Sequence, residues 1–436
     1  MVNPFKVELK FFLYAYIFFA SWTGVFILGD IVKFPEAISF LSGVFAPHVV
    51  IGSLTFLLYF IKYSGHFLNN QLYLPRGVKK VYQIEDIFLF FGYSGVLLSA
   101  AVNPGPKTLN YLAGYLYVFF IAYLVFKGLF YLELETEQLL TANLLGVLFV
   151  ALFSIMELLL EHVYGINIRT LLLGARKPNA PALYAGGMSR SYGLATEPGV
   201  LAFYFETLGV IAIWKLLREK FSLILKISLI SIILLGWTFT FSAASVVALT
   251  FALCFTGFVL LLTKLKIRRI RFSPIIVVLF IGILVLSFYS IYTGKINLVR
   301  PILIKIGNVG TSERMRYWLE GLEQFARTPI FGAGMGNISV KRSGLSYVNW
   351  YLFLTTEGGL LSAIPYLSFL FFSGLRILNS KVKGKFWFFT AFLAGTTHLA
   401  VISTFFHPFL WILLIIFNHY LANYFSLSYE RLERRF

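Results

Sequence analysis

Twelve apolar runs, each of about twenty residues, recur along this chain and leave few ways for it to fold. A helix of that length crosses roughly 30 Å of hydrocarbon. Hydrophobic residues make up 58% of the chain and charged residues only 13%, against roughly 25% charged in a soluble domain. Lipid is therefore its solvent. We predict an all-α, polytopic integral membrane protein with a single membrane domain, 1–436, and spans near 9–29, 37–61, 84–102, 109–131, 139–160, 194–214, 221–238, 242–263, 274–292, 348–372, 386–403 and 408–425.

Basic residues in the short connections orient these spans. Lysine and arginine are enriched in cytoplasmic loops of membrane proteins, and nearly every short basic segment falls on one side if both termini are cytoplasmic. This arrangement, together with attraction to anionic headgroups, accounts for most of the formal net charge of +18. The segments follow the second, sixth, eighth and tenth spans and contain Lys62, Arg76, Lys79, Lys80, Lys215, Arg218, Lys220, Lys264, Lys266, Arg268, Arg269, Arg271, Arg376, Lys381, Lys383 and Lys385.

Two connections on the opposite, periplasmic side are long: 161–193 and 293–347. Both are basic, although positive charge on the exported side runs against the insertion bias. One interpretation is a function that needs cationic side chains outside the membrane. The other is that long loops escape the rule, which applies best to short ones.

The sequence RSYGLATEPGVLAFYFETLG, from Arg190 to Gly209, leads into the sixth span. Pro198 suits the first turn of a helix, where its missing N–H costs nothing. Glu197 then lies at the positive end of that helix. It is either a helix-starting acid or a carboxylate that acts as a base or orients a sugar hydroxyl. Glu206 is deeper in the same span, where a carboxylate usually faces the interior of the bundle or a cavity.

The second informative segment runs from Thr311 to Leu367. Ser312 and Glu313 predict the start of an amphipathic helix that carries Arg314 and Trp318, and Arg327-Thr328-Pro329 predicts its end. The following GAGMG is a flexible turn. It is no dinucleotide fingerprint, because no strand precedes it. The chain enters the membrane again through Asn349-Trp350.

These residues resemble a known family. The Arg–x3–Trp helix, the turn TPIFGAGMGN, the sequence NWYL with EGGLLSAIPYL, and the upstream RSYGLATEP are similar to the O-antigen ligase/polymerase (Wzy/WaaL-like) superfamily. About 80 residues carry the close resemblance, and the layout of spans and long periplasmic loops extends it loosely over most of the chain.

The resemblance implies a metal-independent glycosyltransferase of the GT-C type in the bacterial inner membrane. Its substrate would be a glycan linked to undecaprenyl or another polyprenyl diphosphate, as in lipopolysaccharide biosynthesis. Family members hold the diphosphate with periplasmic arginines, and Arg314 and Arg190 match the motif here. Ligases carry a histidine just before the asparagine, where this chain has Val348, so the polymerase branch is favoured. Further candidates for substrate binding are Arg316, Arg169, Arg176, Arg342, Asn349 and Trp318.

The expected reaction needs no cofactor and no metal, since no His, Cys and carboxylate group has the spacing of metal ligands. Glu197 is the first choice for a base and His162 the weaker one, while positioning alone is the alternative. His398 and His407 are interpreted as packing or lipid-interface residues. Expected partners are the polyprenyl-diphosphate-linked oligosaccharide, membrane lipids and a chain-length regulator protein, but no nucleic acid. Two competing functions remain: a ligase acting on lipid A-core, and a transporter or flippase of an anionic lipid-linked substrate.

Overall fold

The computed structural model describes residues 4–23, 47–68, 81–166, 168, 184–185, 188–264, 310–337, 347–402 and 406–433. These residues are helical apart from turns and one minimal hairpin, in which β1 (Tyr184–Ala185) pairs antiparallel with β2 (Met188–Ser189). The expectation of an all-α chain is confirmed at this level. The predicted span 274–292 lies outside the described residues, as do residues 169–183 of the first long loop and residues 293–309 and 338–346 of the second.

The helices follow the apolar runs of the sequence. In chain order they are α1 (Pro4–Phe18), α2 (Pro47–Leu68), α3 (Ile87–Val102), α4 (Thr108–Glu133), α5 (Thr136–Tyr164), α6 (Pro198–Arg218), α7 (Leu223–Thr238), α8 (Ala243–Lys264), α9 (Gly310–Arg327), α10 (Trp350–Asn379), α11 (Lys385–His398) and α12 (Phe409–Glu433). Part of α4, Leu116–Val125, is a π-helix, and so is part of α6, Phe205–Gly209.

Six of the described helices are long and apolar enough to cross a membrane: α3 extended back to Ile84, α4, α5, α6, α8 and α10. Several of them turn large apolar side chains outward. Phe91, Leu253 and Phe258, for example, are each more than half exposed. Contiguous exposed apolar surface of this kind is unfavourable in water but matches lipid tails. The protein is therefore a helical membrane protein, while the full set of twelve spans stays a prediction.

The buried centre of the bundle is aromatic. Tyr115, Phe119 and Tyr123 line one side of α4 and meet Tyr366 of α10 and Trp411 of α12, with ring centroids between 4.6 and 6.4 Å apart. Edge-on and tilted contacts at such distances stabilise a core beyond the burial of area. These ring contacts pack α4 against α10 and α12.

Two ends of the bundle can be distinguished by contacts. The loop end contains residues 22–23, 103–108, 190–197, 239–242, 328–337, 347–350 and 398–402, which are cross-linked by backbone and side-chain hydrogen bonds. The ion-pair end holds Lys127 with Asp86, Arg376 with Glu85, Lys62 with Glu133 and Lys215 with Glu137. Among the described residues, Arg190, Glu197 and Asn349, which the sequence singled out for function, lie at the loop end.

Helix α10 is broken one-third of the way along. Gly359 has φ 69° and ψ −177°, so the i→i+4 hydrogen bonds of the helix are interrupted there. The chain fills the break with residues 329–337, which we call the glycine turn. The N–H of Ala333 donates to the carbonyl of Thr356, and that of Gly334 to the carbonyl of Glu357 (2.8 and 3.0 Å). The backbone groups freed by the kink are thus satisfied within the protein, as hydrocarbon requires.

Candidate functional site

The turn Ser191–Gly193 is held by a buried carboxylate. Glu157, on α5, is only 4% exposed, and its Oε2 accepts from Ser191 Oγ (2.7 Å), Tyr192 N (3.0 Å) and Gly193 N (2.7 Å). Gly193 has φ 53°, the left-handed conformation that lets consecutive N–H groups point at one anion. A charge buried inside the bundle therefore fixes the backbone directly after Arg190.

Arg190 itself is anchored at the loop end. Its Nε donates to the carbonyl of Thr240 (3.0 Å), and the neighbouring Ser191 N donates to the carbonyl of Phe239 (2.9 Å). The side chain is half-buried. A guanidinium held in this way can direct its planar donors at an anion without losing much rotamer freedom on binding. Arg190 is thus held in place at the loop end, and its role at a diphosphate site stays a prediction.

Glu197 occupies the N-cap position of α6, and Pro198 is the first residue of the helix, as predicted. The Glu197 side chain makes no capping hydrogen bond and is exposed. Its carboxylate lies at the positive end of the helix without being tied to it. This arrangement is compatible with either interpretation of Glu197, and its role as a base stays a prediction.

Helix α9 lies against the start of α10. Tyr317, Trp318 and Leu322 cover Tyr347 and Leu352 in a small apolar cluster separate from the main core. α9 ends at Arg327, where the sequence predicted its end. Arg314 lies within this helix, one turn before Trp318, while Arg316 is 66% exposed and 3.5 Å from Glu320. Trp318 therefore acts first as a packing residue that fixes the position of α9.

Asn349 caps the helix that it precedes. Its Oδ1 accepts from the N–H of Leu352 (3.1 Å), and the residue is 3% exposed. This contact satisfies one of the N–H groups that the first turn of a helix leaves without a partner. The sequence predicted a substrate-binding role for Asn349, and the structure gives it a structural one.

Replacement of Asn349 separates these two roles. We expect Asn349→Ala to lower the free energy of unfolding by about 1 kcal/mol, because the N-cap bond is lost. Asn349→Ser keeps a capping oxygen and should unfold close to the wild type, as measured by thermal unfolding in detergent. If Asn349→Ser is stable but no longer binds substrate, the amide has a binding role in addition to its cap.

The two segments singled out in the sequence meet at the end of α11. The N–H of Trp350 donates to the carbonyl of Leu399 (2.9 Å), which ties the start of α10 to α11. One residue earlier, His398 Nδ1 lies 2.5 Å from Glu206 Oε1, which ties α11 to α6. Gly395 packs closely on Thr207 of the same helix. The segment after Arg190 and the segment that begins at Asn349 therefore both contact the C-terminal end of α11.

The pair Glu206–His398 is the feature that sequence reasoning missed. Both side chains are fully buried, and Ser245 Oγ donates to the second carboxylate oxygen (2.7 Å) while itself accepting from Trp237 Nε1 (2.8 Å). His398 is 0% exposed, so of its two predicted roles the structure fits packing and not the lipid interface, and the contact with Glu206 adds a polar partner. Glu206 is the sequence feature that could have predicted this pair, because a carboxylate in an apolar run needs a polar partner inside the bundle.

Three predicted site residues, Arg169, Arg176 and Arg342, lie outside the described residues, as do the side chains of Arg314 and His162. Within the described residues, no three His, Cys, Asp or Glu side chains are placed to hold a metal ion. The described part of the candidate site thus consists of Arg190, Glu197, Arg316, Trp318 and Asn349. Glu157 and the Glu206–His398 pair support it from inside the bundle. No family model matches this chain, and no curated protein matches it.

Proposed function

We propose that this protein is a polysaccharide polymerase of the O-antigen type, with a GT-C-type architecture. It transfers a polyprenyl-diphosphate-linked glycan onto a sugar hydroxyl of another lipid-linked repeat unit. The proposal is supported by two observations: the two motif segments converge on residues 395–399, and Arg190 is held at the loop end. The loop end then faces the periplasm, and both termini lie in the cytoplasm of a bacterial cell.

The chemistry needs what an arginine site supplies. The acceptor hydroxyl oxygen forms a bond to the anomeric carbon, and the bond from that carbon to the diphosphate oxygen breaks. The lipid diphosphate leaves with an added negative charge, and the hydroxyl proton passes to a base or to water. Guanidinium groups bind phosphate oxygens in pairs and stay charged. Arg190, together with Arg314, would stabilise the leaving diphosphate in place of a metal.

The polymerase is favoured over the ligase by one position. Val348 has an apolar side chain where ligases of the superfamily carry a histidine, and it has a left-handed backbone (φ 51°) directly before the cap Asn349. A valine can neither donate nor accept a proton. A ligase that delivers the glycan to lipid A-core remains the alternative within the family.

The proposal predicts a large effect at Arg190. With purified protein in lipid and a polyprenyl-diphosphate-linked oligosaccharide, the wild type should produce a ladder of longer lipid-linked chains. Arg190→Ala should slow elongation by about 100-fold or more, because one donor to the developing charge is lost. Arg190→Lys should fall between the two, since lysine cannot bind phosphate oxygens in a planar pair.

The matched control is Arg218→Ala at the ion-pair end. Arg218 is 41% exposed and pairs with the exposed Glu137 at 3.4 Å, so its removal should leave elongation unchanged. A wild type that binds the lipid-linked substrate but never elongates it, with or without a lipid A-core acceptor, would refute both enzyme functions. Full activity in Arg190→Ala would instead remove this arginine from the diphosphate site.

A transporter of an anionic lipid-linked substrate is the second candidate, and the buried Glu206–His398 pair favours it, because intramembrane carboxylates and histidines are frequent in proton-coupled transport. The break in α10 does not add to this argument. Its backbone groups bind the glycine turn of the same chain, and the Glu357 carboxylate accepts from Gly336 N (2.6 Å). Proton-dependent movement of substrate across vesicles without elongation would identify the transporter.

A further inference from the structure

The Glu206–His398 contact lies well inside the bundle. Glu206 follows the first residue of α6, Pro198, by two helical turns, which places it about 12 Å along the helix axis from the loop end. It also falls within the π-helix Phe205–Gly209. Such widened turns occur often at functional sites, because they re-aim one side chain out of the regular helical rows. Here the widened turn carries the residue that meets His398.

The contacts of Glu206 and His398 distinguish the two ring nitrogens of the histidine. Nδ1 of His398 lies 2.5 Å from Glu206 Oε1, so this ring nitrogen is the one that faces the carboxyl group. The other carboxylate oxygen is engaged by Ser245, whose hydroxyl is in turn oriented by Trp237. The Glu206 carboxyl group is therefore held in a fixed position beside the ring. The other ring nitrogen, Nε2, faces away from this contact and is buried with no hydrogen-bond partner among the described residues.

A buried nitrogen without a partner calls for an explanation, since most buried polar atoms are hydrogen-bonded. His398 is 0% exposed and stacks on Phe203, with ring centroids 5.3 Å apart. A proton on Nε2 would turn the ring into an imidazolium next to a carboxylate, which converts a single buried negative charge into a neutral pair. The arrangement thus provides a place for one additional proton.

Two further histidines lie near His398 among the described residues. Burial, with smaller contributions from His48 and His398, lowers the pKa of His407 to about 3. His407 therefore stays neutral at ordinary pH and does not compete for the proton. His48, near the start of α2, contacts the loop end, since its Nδ1 lies 3.2 Å from the carbonyl oxygen of Trp22.

We propose that Glu206 and His398 form a proton-binding site inside the membrane bundle, with His398 Nε2 as the atom that takes up the proton. The proton comes from water at the loop end and returns to it. Glu206 is the counter-charge, and Ser245 with Trp237 orients it. The inference does not depend on the glycosyltransferase activity. It assigns a site that either function could use.

The test is the protonation state of the histidine rings in the full-length protein. We would label the protein with ¹⁵N-histidine, embed it in lipid bilayers and record solid-state NMR spectra at about pH 6, close to the ordinary titration range of histidine. One ring should be protonated on both nitrogens. Its signal should vanish in His398→Asn, which assigns it. In Glu206→Gln, the doubly protonated population should fall by about tenfold or more, because the counter-charge is lost.

The matched control is His419→Asn. His419 is a buried histidine of α12 whose ring nitrogens lie 2.9 Å from Thr136 Oγ1 and from the carbonyl of Leu134, with no carboxylate on either. Its replacement should leave the doubly protonated signal in place. A neutral His398 in the wild type at this pH would overturn the proposal, even if Glu206→Gln fails to fold. So would a doubly protonated population that is unchanged in Glu206→Gln.

Discussion

Gly334→Ala is expected to prevent recovery of folded protein, with a cost of about 4 kcal/mol or more in the free energy of unfolding. A Cβ atom at this position would lie 1.9 Å from the carbonyl oxygen of Asn103, well inside contact distance. Gly334 also has φ 94°, a backbone conformation that residues with a Cβ atom rarely adopt. Both the clash and the strained backbone would have to be relieved by moving the glycine turn.

The movement is costly because the turn is bonded on several sides. Gly334 N donates to the carbonyl of Glu357, Asn103 Nδ2 donates to the carbonyl of Gly332, and Asn337 Nδ2 donates to the carbonyl of Asn103. Displacing the turn would leave the backbone groups at the break in α10 without partners inside hydrocarbon. A single methyl group is thus expected to disrupt the junction of α3, α10 and the turn.

Gly257→Ala is the matched control. Gly257 lies in α8 with open space where its Cβ would be added, and alanine is preferred over glycine in a helix by about 1 kcal/mol. We expect this variant to unfold at the same temperature as the wild type or slightly higher, while Gly334→Ala yields aggregated protein in size-exclusion chromatography. A folded Gly334→Ala of wild-type stability would show that the turn adjusts at little cost.

The positions of the helices could be predicted from the sequence because hydropathy is a local property of the chain. Apolar runs predicted α3 at 84–102 and α6 near 194–214, and Pro329 predicted the end of α9. The break at Gly359 could not be predicted in this way. It depends on the glycine turn filling the gap from another part of the chain. Neither π-helix carries a local signal, since a widened turn is set by what packs beside it.

The candidate site was predictable only in part, for the same reason. Arg190, Pro198 and Asn349 were identified because they stand at the boundaries of apolar runs. The partners that hold them are distant in sequence: Glu157 supports the turn after Arg190, and His398 meets Glu206. Such pairs depend on the rotation and packing of whole helices, which composition does not specify.

Removing the buried charge of Lys127 is the second change expected to have a large effect. Lys127, on α4, is 0% exposed, and its Nζ lies 2.6 Å from Asp86 Oδ2 and 3.2 Å from Tyr123 Oη. Lys127→Met keeps the length of the side chain but leaves the Asp86 carboxylate buried without its counter-charge. Removing one partner of a buried ion pair lowers the free energy of unfolding by about 3–5 kcal/mol. Thermal unfolding in detergent should show a lower transition temperature for Lys127→Met than for the wild type.

The double variant Lys127→Met with Asp86→Asn distinguishes charge from packing. If the cost comes from the unpaired carboxylate, the asparagine should restore most of the stability. Its Oδ1 can accept from Gln83 N, which now lies 2.8 Å from Asp86 Oδ2, and its Nδ2 can donate to Tyr123 Oη, which now lies 3.2 Å from Asp86 Oδ1. Arg218→Ala, in an exposed pair, should change the free energy of unfolding by less than about 1 kcal/mol. A double variant as unstable as Lys127→Met would locate the loss in the packing of α4 against α12 instead, through the Tyr123–Asn418 contact.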